Sequence, residues 1–302
     1  MPEPLTVVIP AYNERASLER NLPDWLAWCE AHDAQLIVVD DGSSDGTEQA
    51  LAAHAAHPRL RAFQHRVNRG YGEALKTGLY HAETPLAATM DADGQHAIED
   101  LDRLRAALSE HDADLVIGAR PAAGGDLYRR AGKAVIRGLA RLLFGTRIQD
   151  LNSGMKVYRT ALATRLLPFC PGSMAFSDVI TLTHLNLGCR VVEVPIVVRP
   201  RQGGRSTINT MTAVETMLEI VNVLMWFKPL KVFLPLAGLL LLAGVLWALP
   251  FLLIGRGLSS ISLLLILTGL MCAMLGLIAE QLAWARRVEL PDLAAREIGP
   301  GR

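Results

Sequence analysis

Asp91-Ala92-Asp93 places two carboxylates where they could do chemistry together. In an extended segment alternate side chains share a face, so Asp91 and Asp93 can point the same way. Two such carboxylates beside diphosphate oxygens make a hard-oxygen site for Mg2+ or Mn2+. The ion would neutralise charge developing on a departing nucleotide diphosphate. A lone Asp-x-Asp is often an ordinary acidic turn, but this one closes an apolar run, Leu86–Met90. A second acidic cluster, Asp40-Asp41-Gly42-Ser43-Ser44-Asp45-Gly46-Thr47, follows the run Leu36–Val39. Adjacent carboxylates leaving a buried strand can accept hydrogen bonds from ribose hydroxyls or base N–H groups. The same residue types also build turns and helix starts for local reasons, and taken alone both readings stay open. The glycine-rich Asn68–Gly72 stretch could cradle phosphate through backbone N–H groups.

Positioning these groups requires strands that end beside one another. Thr6–Ile9, Leu36–Val39, Leu86–Met90, Leu115–Ile117 and Val191–Val198 read as buried strands. Helical segments alternate with them, among them Glu14–His32, Gly46–His57, Tyr71–His81 and Ile98–Glu110. That alternation predicts an α/β domain with a mostly parallel sheet covered on both faces. In such sheets ligands bind at the carboxyl ends of the strands, where both acidic clusters fall.

The tail has a different character. Val232–Ile254 carries no charged residue and is long enough to cross a hydrocarbon core of about 30 Å. Ile261–Ala279 is a second such stretch, separated by only Gly255–Ser260, which predicts a tight transmembrane hairpin rather than a buried core hairpin. Lys228 and Lys231 precede the first span, Arg286 and Arg287 follow the second, and the loop offers Arg256. The positive-inside rule then places both ends, and the N-terminal domain, on the cytoplasmic side of the inner membrane. Ile208–Leu230 carries Met211, Val214, Met217, Leu218, Val221, Leu224 and Met225 at helical spacing. It reads either as an interfacial helix or as a linker packed on the domain. The expected division is 1–207 for the domain, 208–231 for the linker, 232–285 for two spans near 232–254 and 261–283, and 286–302 for a cytoplasmic tail.

Composition narrows the classes. Lys+Arg and Asp+Glu balance at 30 each over 302 residues, so no basic field points to nucleic acid. Cys29, Cys170, Cys189 and Cys272 form no CxxC pair, which favours reduced thiols over a zinc site or disulfide framework. The N-terminus lacks the pattern of an export signal. His54, His57, His96 and His184 read as solvated or structural.

As a set, PAYNER (Pro10–Arg15), DDGSSDGT (Asp40–Thr47) and DADGQH (Asp91–His96) resemble the inverting family 2 glycosyltransferases of GT-A fold. Asn68–Gly72, Gly118-Ala119-Arg120, Asp150–Gly154, Val192–Ile196 and Gly204-Arg205-Ser206 narrow the resemblance. They are similar to the branch holding dolichol-phosphate mannose synthases and bacterial polyprenyl-phosphate glycosyltransferases. The resemblance covers about residues 5–210. It implies nucleotide contacts from Pro10, Tyr12, Glu14, Val39 and Asp41, and a metal and diphosphate segment at Asp91, Ala92, Asp93 and Gln95. Arg120, Arg129 (or its neighbour Arg130) and Arg201 fall where the family places arginines facing phosphates, a role suited to a permanently charged, bidentate donor. Thr207 stands where many relatives carry Lys, so Arg205, beside Ser206, is the substitute charge; Lys133 stands where relatives with an Arg-x-x-x-Ser pattern carry Ser.

Phe176-Ser177-Asp178 matches the place of an acidic residue near the acceptor. With a hydroxyl acceptor Asp178 would be the general base; with an anionic lipid phosphate it would position or repel charge, and a helix N-cap is its local alternative. The implied reaction moves a sugar from a UDP- or GDP-sugar to a polyprenyl phosphate, with inversion. The alternatives are transfer to a glycan or lipid hydroxyl, and a non-catalytic membrane scaffold. A homo-oligomer is compatible with either.

Overall fold

In the computed structural model the described residues are 3–121, 148–199, 218, 221–222 and 225–289, with side chains through 285. Arg129, Arg130, Lys133, Arg201, Arg205, Ser206 and Thr207 lie outside this set, as do most of the 208–231 linker, the tail after residue 289 and the side chains of Arg286 and Arg287. The chain separates into two compact units, Met1–Glu219 and Ile220–Arg302.

The first unit is built on one seven-stranded sheet. Its strands are β1 (Leu5–Ala11), β2 (Gln35–Asp40), β3 (Leu60–Gln64), β4 (Leu86–Thr89), β5 (Leu115–Ala119), β6 (Lys156–Arg159) and β7 (Val191–Pro195), in the order β3-β2-β1-β4-β6-β5-β7. Only β6 pairs antiparallel, between β4 and β5; the remaining pairings are parallel. β1, β2, β4 and β5 are largely apolar runs because helices cover both faces. Val7 and Ile9 share a core with Leu18, Leu22 and Leu26 of α1 (Arg15–Ala31) and with Leu101, Leu104 and Leu108 of α4 (Asp100–Glu110). Val8 points the other way, onto α3 (Tyr71–Tyr80), where a Cβ on Gly78 would lie 2.2 Å from its Cγ1. The pleat therefore alternates between two helical layers.

The apolar runs name five of these strands and omit β3 and β6. Between β2 and β3, α2 is short (Thr47–Ala52) and does not extend to His57. Pro195 ends β7, although His96 and Val198 still form an isolated antiparallel bridge. Two further helices, α5 (Thr160–Leu166) and α6 (Phe176–Asn186), follow β6.

The second unit contains α7 (Leu230–Leu253) and α8 (Ser260–Glu289). Both are long and apolar enough to cross a membrane, and each exposes rows of leucines, among them Leu239, Leu242 and Leu246 and then Leu264, Leu267 and Leu275. Small residues draw the helices together. A Cβ on Gly244 would meet Ile266 Cγ1 at 2.8 Å, and one on Gly276 would meet Phe233 Cβ at 2.6 Å. At the first helix's open end, Leu230 N–H donates to Glu280 Oε2 at 3.3 Å.

Candidate active site

The carboxyl ends of β1, β2, β4 and β5 carry most of the expected site residues. After β1, Tyr12 is half exposed, while Asn13 takes φ 55° and trades hydrogen bonds with the β2 loop. Asn13 N–H donates to Ser43 Oγ at 2.8 Å and Ser44 N–H to Asn13 Oδ1 at 2.9 Å. Glu14 N–H donates to Thr47 Oγ1 at 3.1 Å, so the PAYNER and DDGSSDGT segments form one rim. Pro10 and Val39 sit side by side in the β1–β2 register with their side chains buried. They can offer a ligand only backbone at the strand ends.

Asp41 is 2 % exposed and its oxygens are engaged inward. It accepts from His65 Nδ1 at 2.6 Å, Arg69 N–H at 2.9 Å and Gly70 N–H at 2.8 Å. The carboxylate thus fixes the turn that leads into α3. Asp40 similarly accepts from Ser43 N–H and Gln64 Nε2.

Asp91 follows β4 with its side chain 30 % exposed. Asp93 and Gln95 are also partly exposed, and Asp93 Oδ1 accepts Gln95 N–H at 3.1 Å. Ala92 is buried, and its carbonyl accepts from Ser17 Oγ of α1. Gln95 O accepts Arg199 N–H at 2.8 Å. Among the described residues no group of three His, Cys, Asp or Glu side chains could hold a metal. The donor set nevertheless fits Mg2+ or Mn2+, which bind through one or two carboxylates and complete their shells with substrate phosphates and water.

Arg120, after β5, does not present an open fork. Its Nε and one terminal nitrogen both bond Asp150 at 2.8 Å, and that same nitrogen reaches Asn152 O at 2.9 Å. The Asp150 bonds come first in raising the guanidinium's pKa against burial, followed by the charges of Asp150, Asp91 and Asp178, which converge on this arginine. Asp150 is itself pushed upward by burial, but Arg120 outweighs that and holds it below its ordinary value. Any phosphate meeting Arg120 shares it with Asp150.

Asp178 is the third residue of α6, whose N-cap is Ala175, so the N-cap reading does not describe it. It is 2 % exposed. Burial pushes its pKa up to about 6, opposed by Lys156. Lys156, fully buried in β6, donates to Leu151 O at 2.9 Å and to Ser177 O. Its own pKa falls to about 8 through burial, with Asp178 and Asp150 working the other way.

These shifts carry signs for stability. Asp178 binds its proton more tightly folded than its ordinary 3.8 implies, so its contribution is complete below that value and is lost as pH rises through about 6. His184, buried in α6, has its pKa lowered by burial from 6.5 to about 4. Its contribution is complete above 6.5 and lost as pH falls through about 4. Between those values the two slopes oppose each other. Asp178→Asn leaves His184 unopposed, so the variant's melting temperature should drop more steeply than wild type's on acidification from pH 6.5 to 4. Parallel slopes would refute the assignment.

Sequence reasoning missed Tyr71 and Lys156. Tyr71 lies inside the Asn68–Gly72 stretch, where the glycines drew the attention. Lys156 directly follows the Asp150–Gly154 motif and Met155, in a strand the apolar runs did not show.

A family model described as glycosyl transferase family 2 matches residues 6–176, and one described as the GtrB C-terminal hairpin matches residues 228–284. The chain is 30 % identical over 224 residues to an undecaprenyl-phosphate 4-deoxy-4-formamido-L-arabinose transferase of Edwardsiella ictaluri, covering 73 % of this chain and 67 % of that protein. It is 33 % identical over 231 residues to a polyprenol monophosphomannose synthase of Mycolicibacterium smegmatis, covering 71 % and 84 %. Among solved structures, glucosyl-3-phosphoglycerate synthase from Mycobacterium tuberculosis with Mn2+, UDP-glucose and phosphoglyceric acid matches with TM-score 0.57 at 20 % identity, covering 73 % of this chain and 79 % of that one. That likeness establishes a GT-A-like fold.

Proposed function

The chain belongs to glycosyl transferase family 2, and from that membership we propose that it moves a sugar from a UDP- or GDP-sugar to a polyprenyl phosphate, with inversion, at the cytoplasmic face of the membrane. The observation that carries the reading is the partly exposed Asp91 carboxylate at the end of β4, with Asp93 two residues on and Arg120 within its electrostatic reach. The names of the two polyprenyl-phosphate relatives support the acceptor class, and the Mn2+ and UDP-glucose of the structural neighbour support the donor class.

Asp91 and Asp93, with Gln95 beside them, would hold Mg2+ or Mn2+, which supplies charge neutralisation to the leaving nucleotide diphosphate. Tyr12 and Glu14 on the β1 rim, and the backbone around Pro10, Val39 and Asp41, line the nucleotide's place. Ala92 ties the metal segment to α1. Arg120, and outside the described residues Arg129, Arg130, Arg201, Arg205 and Ser206, are assigned to donor or acceptor phosphates. The two-helix anchor has a physical reason: a polyprenyl chain leaves the bilayer only at great cost, so its phosphate must be met there. Residues 1–207 form the transferase domain in this reading, 208–231 the linker and 232–285 the anchor.

A lipid phosphate is anionic near neutrality and needs no base. Asp178, buried and within the electrostatic reach of Lys156, fits a charge-positioning role better than proton abstraction. Membranes containing the full chain, incubated with labelled UDP- and GDP-sugars and undecaprenyl phosphate, should yield an acid-labile, lipid-extractable product. Asp178→Asn should keep that activity within about tenfold, whereas a base-dependent hydroxyl transfer would fall by about 10²- to 10⁴-fold. Failure of the purified protein to bind or hydrolyse any sugar nucleotide with Mn2+ would favour the scaffold reading.

A further inference from the structure

Asp91 is held from several sides. Tyr71, the first residue of α3, donates its hydroxyl to Asp91 Oδ1 at 2.8 Å. Gly154 lies so close behind that a Cβ there would fall 2.3 Å from Oδ2. His96, 4 % exposed, sets Nδ1 4.0 Å from Oδ2, and that nitrogen has no hydrogen-bond partner. The crowding restricts the carboxylate to few orientations, and only the phenol makes a full hydrogen bond among these three contacts.

The phenol is itself fixed. Gly70 takes φ 100°, and a Cβ there would meet Gly172 O at 2.5 Å; one on Gly72 would meet Pro171 O at 2.3 Å. Gly72 N–H donates to Gly172 O at 2.8 Å. These glycines allow close approach of the 170–173 loop on either side of Tyr71, which is a packing role rather than the phosphate cradle their number suggests. A carboxylate oxygen only accepts, so at 2.8 Å the phenol is the donor of this pair. A neutral donor orients the carboxylate without cancelling its charge, which a lysine or arginine in the same place would do.

We infer that Tyr71 is a positioning residue for this reaction: its hydroxyl holds Asp91 in the orientation in which that carboxylate meets the diphosphate-bound cation. The inference rests on the reading of Asp91 and Asp93 as metal carboxylates. Without the hydroxyl, the carboxylate must be ordered at the moment of binding, so metal-dependent steps weaken while metal-independent ones do not. A hydrogen bond to a charged group is worth a factor of roughly ten to a hundred.

The test is Tyr71→Phe, which removes one oxygen and keeps the ring. Binding of UDP and of GDP to the purified full chain is followed by calorimetry across a Mn2+ titration and again with chelator, and transfer is assayed over the same Mn2+ range. The variant should need roughly tenfold or more Mn2+ for half-maximal nucleotide binding and for half-maximal transfer. Its metal-free nucleotide affinity should match wild type, and its melting temperature should fall by no more than the few degrees that one lost hydrogen bond costs. A wild-type Mn2+ dependence in the variant overturns the role of Tyr71, as does a loss that is equal with and without metal. If wild type itself shows no Mn2+-dependent nucleotide binding, the metal reading of Asp91 falls first and Tyr71 falls with it.

Discussion

Asp91→Asn lowers kcat/KM for sugar transfer by at least about 10³-fold, equivalent to about 4 kcal/mol at the transition state. Asparagine matches the shape of aspartate, so it still fits against Gly154 and still offers an oxygen to the Tyr71 hydroxyl. What disappears is the negative charge. The variant should therefore melt close to wild type, because this carboxylate is partly exposed. Excess Mn2+ should restore little. Initial rates of label transfer into the lipid fraction, beside a melting curve, make the comparison. Retention of more than about a tenth of wild-type activity would remove Asp91 from the centre of the mechanism.

Lys156→Met destabilises the folded domain by about 2–5 kcal/mol, because two buried carbonyls, Leu151 O and Ser177 O, lose a charged donor at roughly 1–3 kcal/mol each. Methionine fills similar volume, so the loss reports charge and hydrogen bonding rather than a cavity. Asp178 is left buried without its principal cation, and Leu151 O and Ser177 O lose their donor. Replacing Asp178 as well should recover part of the loss, since the buried carboxylate goes together with the charge that favours its ionised form, while Leu151 O and Ser177 O stay without a donor. Urea unfolding of wild type, Lys156→Met and Lys156→Met/Asp178→Asn decides the matter. A single variant as stable as wild type, or a double variant no better than the single, would show that the pair is not coupled. Activity should fall too. The lysine ties the 150–154 loop, which carries Arg120's partner Asp150 and the Gly154 seat of Asp91, to the first turn of α6.

The legible part of the fold was the part built from one-sided signals. β1, β2 and β4 are short unbroken apolar runs because both faces are covered, and each is followed by acidic or turn residues marking the cleft rim. β3 escaped because it is an edge strand in which only Leu60 is buried, Arg61 and Phe63 are half-buried, and Ala62 and Gln64 are exposed. β6 escaped for a different reason. Lys156 and Arg159 at its ends read as polar, yet Lys156 has no exposed surface, and no local pattern distinguishes a buried lysine from a solvated one.

The candidate site divides in the same way. The Asp91 and Asp93 pair was visible as a motif, whereas the engagement of Asp41 by His65, Arg69 and Gly70 was not, because the partners arrive from 24 to 29 residues away. Arg120 was legible as a cation near the cleft, but its occupation by Asp150 depends on the end of β5 meeting the start of β6. Side-chain partners at long separation are set by the sheet order, and the sheet order turned on the strand the apolar pattern did not reveal.

The reversed direction of β6 has one further consequence. β5 ends and β6 begins at the same end of the sheet, where Arg120 and Asp150 clasp the two strands together. The clasp holds the turn that starts at Asp150, and Gly154 of that turn backs Asp91, so Arg120→Ala would unseat the carboxylate from a distance as well as remove a cation from the rim.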